Sequence, residues 1–167
     1  MSHVEHRAAS PTTVRCYVLT ISDTRNDDTD TGGQAIVELL TAHGHVVVGR
    51  RIVRDEPVDV VRTVSEQLDG PEAQVVITTG GTGISSRDCT YEAIAGLIEK
   101  GLDGFGELFR MLSYQEIGSA AMMSRASAGL VRGKIVISLP GSEHAVRLAM
   151  TKLVLPELGH MVREAGR

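Results

Sequence analysis

The chain has 167 residues, 42% hydrophobic and 23% charged, which argues for one globular domain with a real core and against global disorder. Its 17 Lys and Arg stand against 21 Asp and Glu, a net charge of −4, and only 3% of residues are aromatic; duplex nucleic acid and anionic membranes attract the opposite sign, and single-strand binders need aromatic platforms. Cys16 and Cys89 are too few for a disulfide framework or a four-ligand zinc site, no apolar run reaches membrane length, and residues 1–13 lack a continuous apolar stretch, so a soluble protein of the reducing cytoplasm is expected.

Residues 1–13 are polar and read as a loose tail, with the domain proper over residues 14–167. Cys16, Val18 and Ile21 then mark a first strand. Thr31 offers an N-cap, Ile36, Val37, Leu39 and Leu40 form a helical stripe, and Gly44 stops it. Residues 45–53 are β-branched and read as strand two. Pro57 opens a helix carrying Val60, Val61, Val64 and Leu68, which Gly70-Pro71 ends. Val75-Val76-Ile77 is continuously apolar, the mark of a strand covered on both faces.

The alternation continues. A glycine- and serine-rich loop over residues 79–88 leads to a helix predicted over 90–100, with Gly101 as its stop. Phe105, Leu108, Phe109 and Leu112 form another helical stripe. Residues 119–128 read as a small-residue helix, with Ala120, Ala121, Met122 and Met123. Ile135-Val136-Ile137 marks a strand, Pro140-Gly141-Ser142 a turn with an N-cap, and Val146, Ala149, Met150, Leu153 and Val154 a last helix, kinked or restarted at Pro156. Strands alternating with helices predict a three-layer α/β/α sandwich around a mostly parallel sheet. Ligands of such sheets bind beyond the carboxyl ends of the strands. Polar residues gather there: Ser22-Asp23, Arg54-Asp55-Glu56, residues 79–88, and residues 139–142.

The loop Thr79-Gly80-Gly81-Thr82-Gly83 carries the most information. Three glycines in four positions permit positive φ and close approach, and successive amides before a helix form an anion nest. Both a phosphate cradle and an ordinary glycine turn fit. No Gly-Lys-Ser/Thr follows, and Ser86 falls where a dinucleotide fingerprint needs its last glycine, which weakens a Rossmann-type reading. Asp88 is either a ligand-handling carboxylate or structural, a cap for the helix starting near Thr90 or a partner of Arg87. Arg87 reads as a solvated arginine or a phosphate contact. His3 with His6, and His43 with His45, read as exposed histidines rather than metal ligands. Ser142 near His144 lacks an evident oriented acid, and Cys89 reads as a small buried residue.

Residues 78–94, TTGGTGISSRDCTYEAI, resemble the MoaB and MogA family of molybdenum-cofactor biosynthesis proteins, with related modules in MoeA and gephyrin-like proteins. Other blocks resemble the family in order: Leu19-Thr20-Ile21-Ser22-Asp23-Thr24-Arg25 with Asp30-Thr31-Gly32, Val53-Arg54-Asp55-Glu56, Gly104-Phe105-Gly106-Glu107, Ser124-Arg125-Ala126, and Leu139-Pro140-Gly141-Ser142. The block from Ala121 to Gly129 is more similar to the MoaB branch. The resemblance implies a three-layer fold assembled as trimers or hexamers, with molybdopterin and ATP as substrates and other proteins of the pathway as possible partners. It implies Mg-ATP-dependent adenylylation of molybdopterin with release of pyrophosphate, Asp88 and Asp55 being the essential carboxylates and the candidate Mg²⁺ ligands. Thr79, Gly80, Gly81, Thr82 and Gly83 would cradle phosphate. Ser22, Asp23, Ser113, Pro140, Gly141 and Ser142 are candidate binding residues. The alternative is a non-catalytic molybdopterin-binding or scaffold protein of the MoaB type.

Overall fold

The computed structural model describes residues 2–167. Helix α1 (His3–Ala8) precedes β1 (Arg15–Ile21), α2 (Thr31–Ala42), β2 (Val46–Val53), α3 (Pro57–Asp69) and β3 (Val75–Thr79). Then come α4 (Thr90–Ala95), β4 (Lys100–Gly101), α5 (Asp103–Ile117), a 3₁₀ segment (Gly118–Met123), β5 (Ser127–Val131) and β6 (Lys134–Leu139). The chain ends in α6 (Glu143–Ala149), a π-helical turn (Met150–Val154) and α7 (Leu155–Ala165).

These strands form one six-stranded sheet, in the order β2-β1-β3-β6-β5-β4. The first four run parallel, and β5 and β4 join antiparallel at one edge. Strand alternation serves both faces. Cys16, Val18, Val75, Ile77, Ile135 and Ile137 pack in one cluster with residues of α2, α5, α6 and α7. Tyr17, Leu19, Val76 and Val136 pack in the other with Val60, Val64 and Ile94 of α3 and α4. Helices on both faces explain why β3 and β6 read as unbroken apolar runs, and each fully buried Val or Ile contributes roughly 1.5–3 kcal/mol. Among the described residues, no helix is long and apolar enough to cross a membrane.

Four local expectations change. Residues 3–8, expected to be loose, form a short helix whose capping box joins Ser2 and Glu5. Helix α2 is capped by Asp30 rather than Thr31, because the Asp30 carboxylate accepts from the Gly33 amide at 3.0 Å. The helix predicted over 90–100 stops at Ala95: Leu97 and Ile98 leave it to pack under the sheet, while Lys100–Gly101 pairs with β5. The predicted small-residue helix is instead the 3₁₀ segment followed by β5. Gly129 lies close enough to Ile98 and Lys100 that a β-carbon would collide with them, so the small side chains serve close approach of neighbouring strands. Arg132 and Gly133, both at positive φ, make the tight hairpin turn from β5 into β6. The restart expected at Pro156 is present: a π-helical turn closed by the Leu155 amide on Met150 O gives way to α7, whose first turn holds Pro156, where the amide that proline lacks is not needed.

Candidate active site

Loops at the carboxyl ends of β1, β2, β3 and β6 converge. After β3, the chain turns at Gly80 and Gly81, with φ of +98° and +68°. The Gly80 amide donates to Leu139 O at 3.0 Å, and a β-carbon on Gly80 would run into the Ile21 carbonyl. Only glycine fits where three strand ends meet. The Thr79 hydroxyl donates to Pro140 O at 2.7 Å, tying the β3 loop to the β6 loop. Gly32, in the first turn of α2, stands against Thr79 and Gly141, and Gly141 lies against Gly80. Ser142 caps α6, accepting from the Ala145 amide at 3.2 Å. The positive end of α2 therefore faces the glycine turn and the β6 loop.

Two carboxylates flank that turn. Asp55, only 8% exposed, lies just after β2. Its Oδ1 accepts from the Cys89 amide at 3.2 Å and the Cys89 thiol at 2.8 Å, and lies 3.1 Å from where a β-carbon of Gly81 would stand. Asp88 Oδ2 accepts from the Ser85 amide at 3.0 Å and lies 2.7 Å from the corresponding position on Gly83. The two acids thus border neighbouring glycines of one loop. Each keeps one oxygen without a hydrogen-bond partner among the described residues. Burial first, then the Asp55 carboxylate, pushes the Cys89 thiol up to about 12, so it stays protonated and unreactive.

Asp23 and Arg87 brace this arrangement. Asp23 Oδ1 accepts from the Asp55 amide at 3.1 Å, and Oδ2 accepts from Arg87 Nη2 at 2.8 Å. Arg87 also donates to Glu56 Oε1 at 3.0 Å. The Arg87 hydrogen bond first, then the Asp55 amide, holds the Asp23 carboxyl below its usual range. Arg87 is thus a clasp between three strand-end loops rather than a free surface arginine, and Asp88 has no part in that clasp. Ser22 Oγ accepts from the Thr24 and Arg25 amides at 3.2 and 3.0 Å, shaping the turn after β1.

Ser113 sits apart from the loops, on the buried face of α5 with Gly106 and Phe109. It lies less than one turn before Glu116, whose carboxylate meets His144 Nε2 at 2.5 Å, so the end of α5 flanks the start of α6. His144 does have an acidic partner in Glu116, but the Ser142 hydroxyl serves the helix cap and the three do not form a relay. His45 accepts from the Val14 amide at 3.1 Å, a structural role rather than bare exposure.

Two supports lie outside the candidate set. Buried Asp30 accepts from Thr20 Oγ1 at 2.6 Å and Arg50 Nη2 at 2.7 Å while capping α2. Arg125 donates to Thr82 O at 3.2 Å and to Gly83 O, pairs with Glu92, and stacks over Tyr91 at 4.9 Å. It holds the glycine loop from the β5 side. Asp30 had a signal in the sequence, an acid directly before Thr31-Gly32-Gly33; Arg125, 42 residues from Gly83, had none beyond its place in a family-like block.

Residues 17–160 match a family model described as a probable molybdopterin binding domain. The chain belongs to the MoaB/MogA family of molybdenum cofactor biosynthesis proteins. It is 50% identical to molybdenum cofactor biosynthesis protein B of Bacillus cereus over 168 residues, spanning all of this chain and 99% of that protein. A crystal structure of a molybdenum cofactor biosynthesis protein B superposes with a TM-score of 0.90 at 51% identity, covering 93% of this chain and 98% of the other. The tungsten cofactor synthesizing protein MoaB of Pyrococcus furiosus superposes at 0.85 with 37% identity, over 95% of this chain and all of that one. The resemblance to the MoaB branch is borne out across the whole chain by these relatives.

Proposed function

We propose that this MoaB-type protein is a molybdopterin adenylyltransferase. A phosphate oxygen of molybdopterin attacks the α-phosphorus of ATP, the bond to the bridging α–β oxygen breaks, and pyrophosphate leaves. Such a transfer needs positioning and charge neutralisation more than covalent help. The observation that carries the reading is the convergence of the Gly80–Gly83 turn, the start of α2 and the Leu139–Ser142 loop on one rim, with Asp55 and Asp88 flanking the glycines. The amides of Gly81, Thr82 and Gly83 cradle phosphate, while Gly80, its own amide spent on Leu139 O, and Thr79, tied to Pro140 O, shape the turn that presents them. Ser22 and Asp23 shape the floor, and Pro140, Gly141 and Ser142 take the second substrate, with Ser113 at the edge.

The donor set fits Mg²⁺: two carboxylates, each with an oxygen not spent on the protein, while the neighbouring sulfur, Cys89 Sγ, is occupied as a donor to Asp55. Asp55 and Asp88 would hold the ion, which when bound neutralises triphosphate charge. The protein's own groups fix the rest: Cys89 and Asp23 hold Asp55 in place, and Ser85 holds Asp88.

The binding-only alternative draws on one observation, that each carboxylate already spends an oxygen on the loop. Incubation with molybdopterin and Mg-ATP separates the two. Turnover yields pyrophosphate and adenylylated pterin; a binding module retains pterin and yields neither. Asp88→Asn should cut product formation by roughly 10²–10³-fold, the scale of losing one electrostatic contact in a transition state, with pterin binding kept. Full activity in that variant would remove Asp88 from the mechanism.

Part of the same reading is a cytoplasmic protein, one domain over residues 14–167, assembled as trimers or hexamers. Leu108, Met111, Tyr114 and Ile117 on α5 and Met122 and Met123 beyond it are all exposed, an apolar strip of the kind that copies of a chain cover. Light scattering of wild type beside Met111→Lys tests that face.

A further inference from the structure

Helix α1 poses a question of stability. It has six residues and buries none of them, whereas an isolated helix needs roughly 12–15 residues to persist. What holds it is polar. Arg7 pairs with Glu157, and His6 Nδ1 lies 3.0 Å from Glu164 Oε1, both partners being on α7. The His160 ring leans toward His6, centroids 5.9 Å apart. The C-terminal turns of α7 border Arg15 and Lys134, which open β1 and β6, so this cluster belongs to the end of the sheet away from the candidate active site.

Donor atoms of His6, His160 and Glu164 all lie within 4.8 Å of one another. His160 and Glu164 are spaced i, i+4 and share one face of α7. His160 Nδ1 is 3.0 Å from Glu157 Oε2, so the carboxylate accepts that N–H and leaves Nε2 with its lone pair. A carboxylate behind a histidine is the arrangement that orients metal-bound imidazoles. A cation already sits between the other two groups: Arg163 Nη1 is 2.9 Å from His6 Nδ1 and 3.1 Å from Glu164 Oε1.

The geometry points to a site for a divalent first-row transition ion, with Zn²⁺ the best fit, formed by His6, His160 and Glu164 and completed by water. Two imidazoles and one carboxylate suit Zn²⁺ and its neighbours rather than Mg²⁺. Ligands at about 2.1 Å from a tetrahedral ion stand about 3.4 Å apart, so side-chain rotation of about 1 Å closes the cluster. The ion displaces the Arg163 guanidinium and pins the first helix to the last.

The test uses the full chain without an affinity tag, with excess Mg²⁺ present. Calorimetry with Zn²⁺, and the visible spectrum of Co²⁺, should show one ion per chain in a four-coordinate setting. Hydrogen exchange of the amides of residues 3–8 should slow when the ion is added. His6→Ala, at a position that is not itself buried, should weaken uptake on the order of tenfold or more, and Arg163→Gln should tighten it by a similar factor. Asp55→Asn and Asp88→Asn should leave it unchanged, which separates this site from the proposed active site. No uptake at about 100 µM ion, far above the range of a working zinc site, would overturn the proposal. So would uptake indifferent to His6→Ala, or uptake lost in Asp55→Asn.

Discussion

The parallel centre of the sheet and its antiparallel edge follow different rules. In β1, β3 and β6, apolar side chains fill both faces and polar groups appear only where the strands end. Parallel direction puts those ends on one rim, so loops far apart in the chain, after Ile21, Thr79 and Leu139, become neighbours. At the β4–β5 edge, small residues let strands approach, and the apolar surface of α5 and the 3₁₀ segment is left outside. The lesson is that aligned strand ends concentrate chemistry, whereas the edge supplies packing surface. Arg125 links the two regions, reaching from the edge to the carbonyls of the glycine loop.

Glycine substitutions give the sharpest contrast. Gly80→Ala forces a β-carbon into the Ile21 carbonyl at a positive φ and should cost about 3 kcal/mol or more. Thermal unfolding would then move down by roughly 6–12 °C. At Gly104, in α5 at the edge, a β-carbon meets nothing within 4 Å. Gly104→Ala should be neutral or stabilising by up to about 1 kcal/mol. Equal effects at the two sites would erase the distinction between centre and edge.

Arg125→Ala probes the link. Losing charged hydrogen bonds to the Thr82 and Gly83 carbonyls should cost about 1–2 kcal/mol, read by urea unfolding, with the larger change in hydrogen exchange at residues 80–88. A uniform loss across the sheet would show that Arg125 does not serve the loop in particular.

The smallest effect concerns acid. Burial by itself raises the Asp30 carboxyl, but hydrogen bonds from Arg50, Thr20 and the Gly33 amide outweigh it and hold the group below its ordinary 3.8. A carboxyl with a lower pKa folded than unfolded stabilises the protein above its unfolded value, and that contribution fades as pH falls through the folded one. Below about pH 4, wild type should lose stability more steeply than Asp30→Asn, as acid titrations of the unfolding midpoint would show. Parallel curves would mean that Asp30 is a cap and no more.

The difference between centre and edge is also the difference between what the sequence disclosed and what it hid. Val75-Val76-Ile77 and Ile135-Val136-Ile137 announce doubly covered strands, since continuous apolar character has few other uses at that length. Pro57, Gly44 and Ser142 mark helix ends through backbone chemistry that each residue carries itself. Ser127-Ala128-Gly129 has no such period, and its small side chains fit a close-packed helix as well as a strand. Asp55 and Asp88 were singled out through a family-like pattern, not through periodicity. The Glu157 carboxylate behind His160 was readable only as a helical spacing, and its pairing with the first helix was invisible.

The amino-acid order alone settled the alternation of strands and helices, the two-faced burial of the central strands, and the glycine turn after β3, because these depend on side-chain period and backbone freedom within a few residues. The folded chain decided that Asp55 would grip Cys89, that Arg87 would clasp Asp23 and Glu56, and that Arg125 would seat the glycine loop. Those contacts join residues 31–64 positions apart, and their partners are chosen by the packing of whole elements rather than by any local preference.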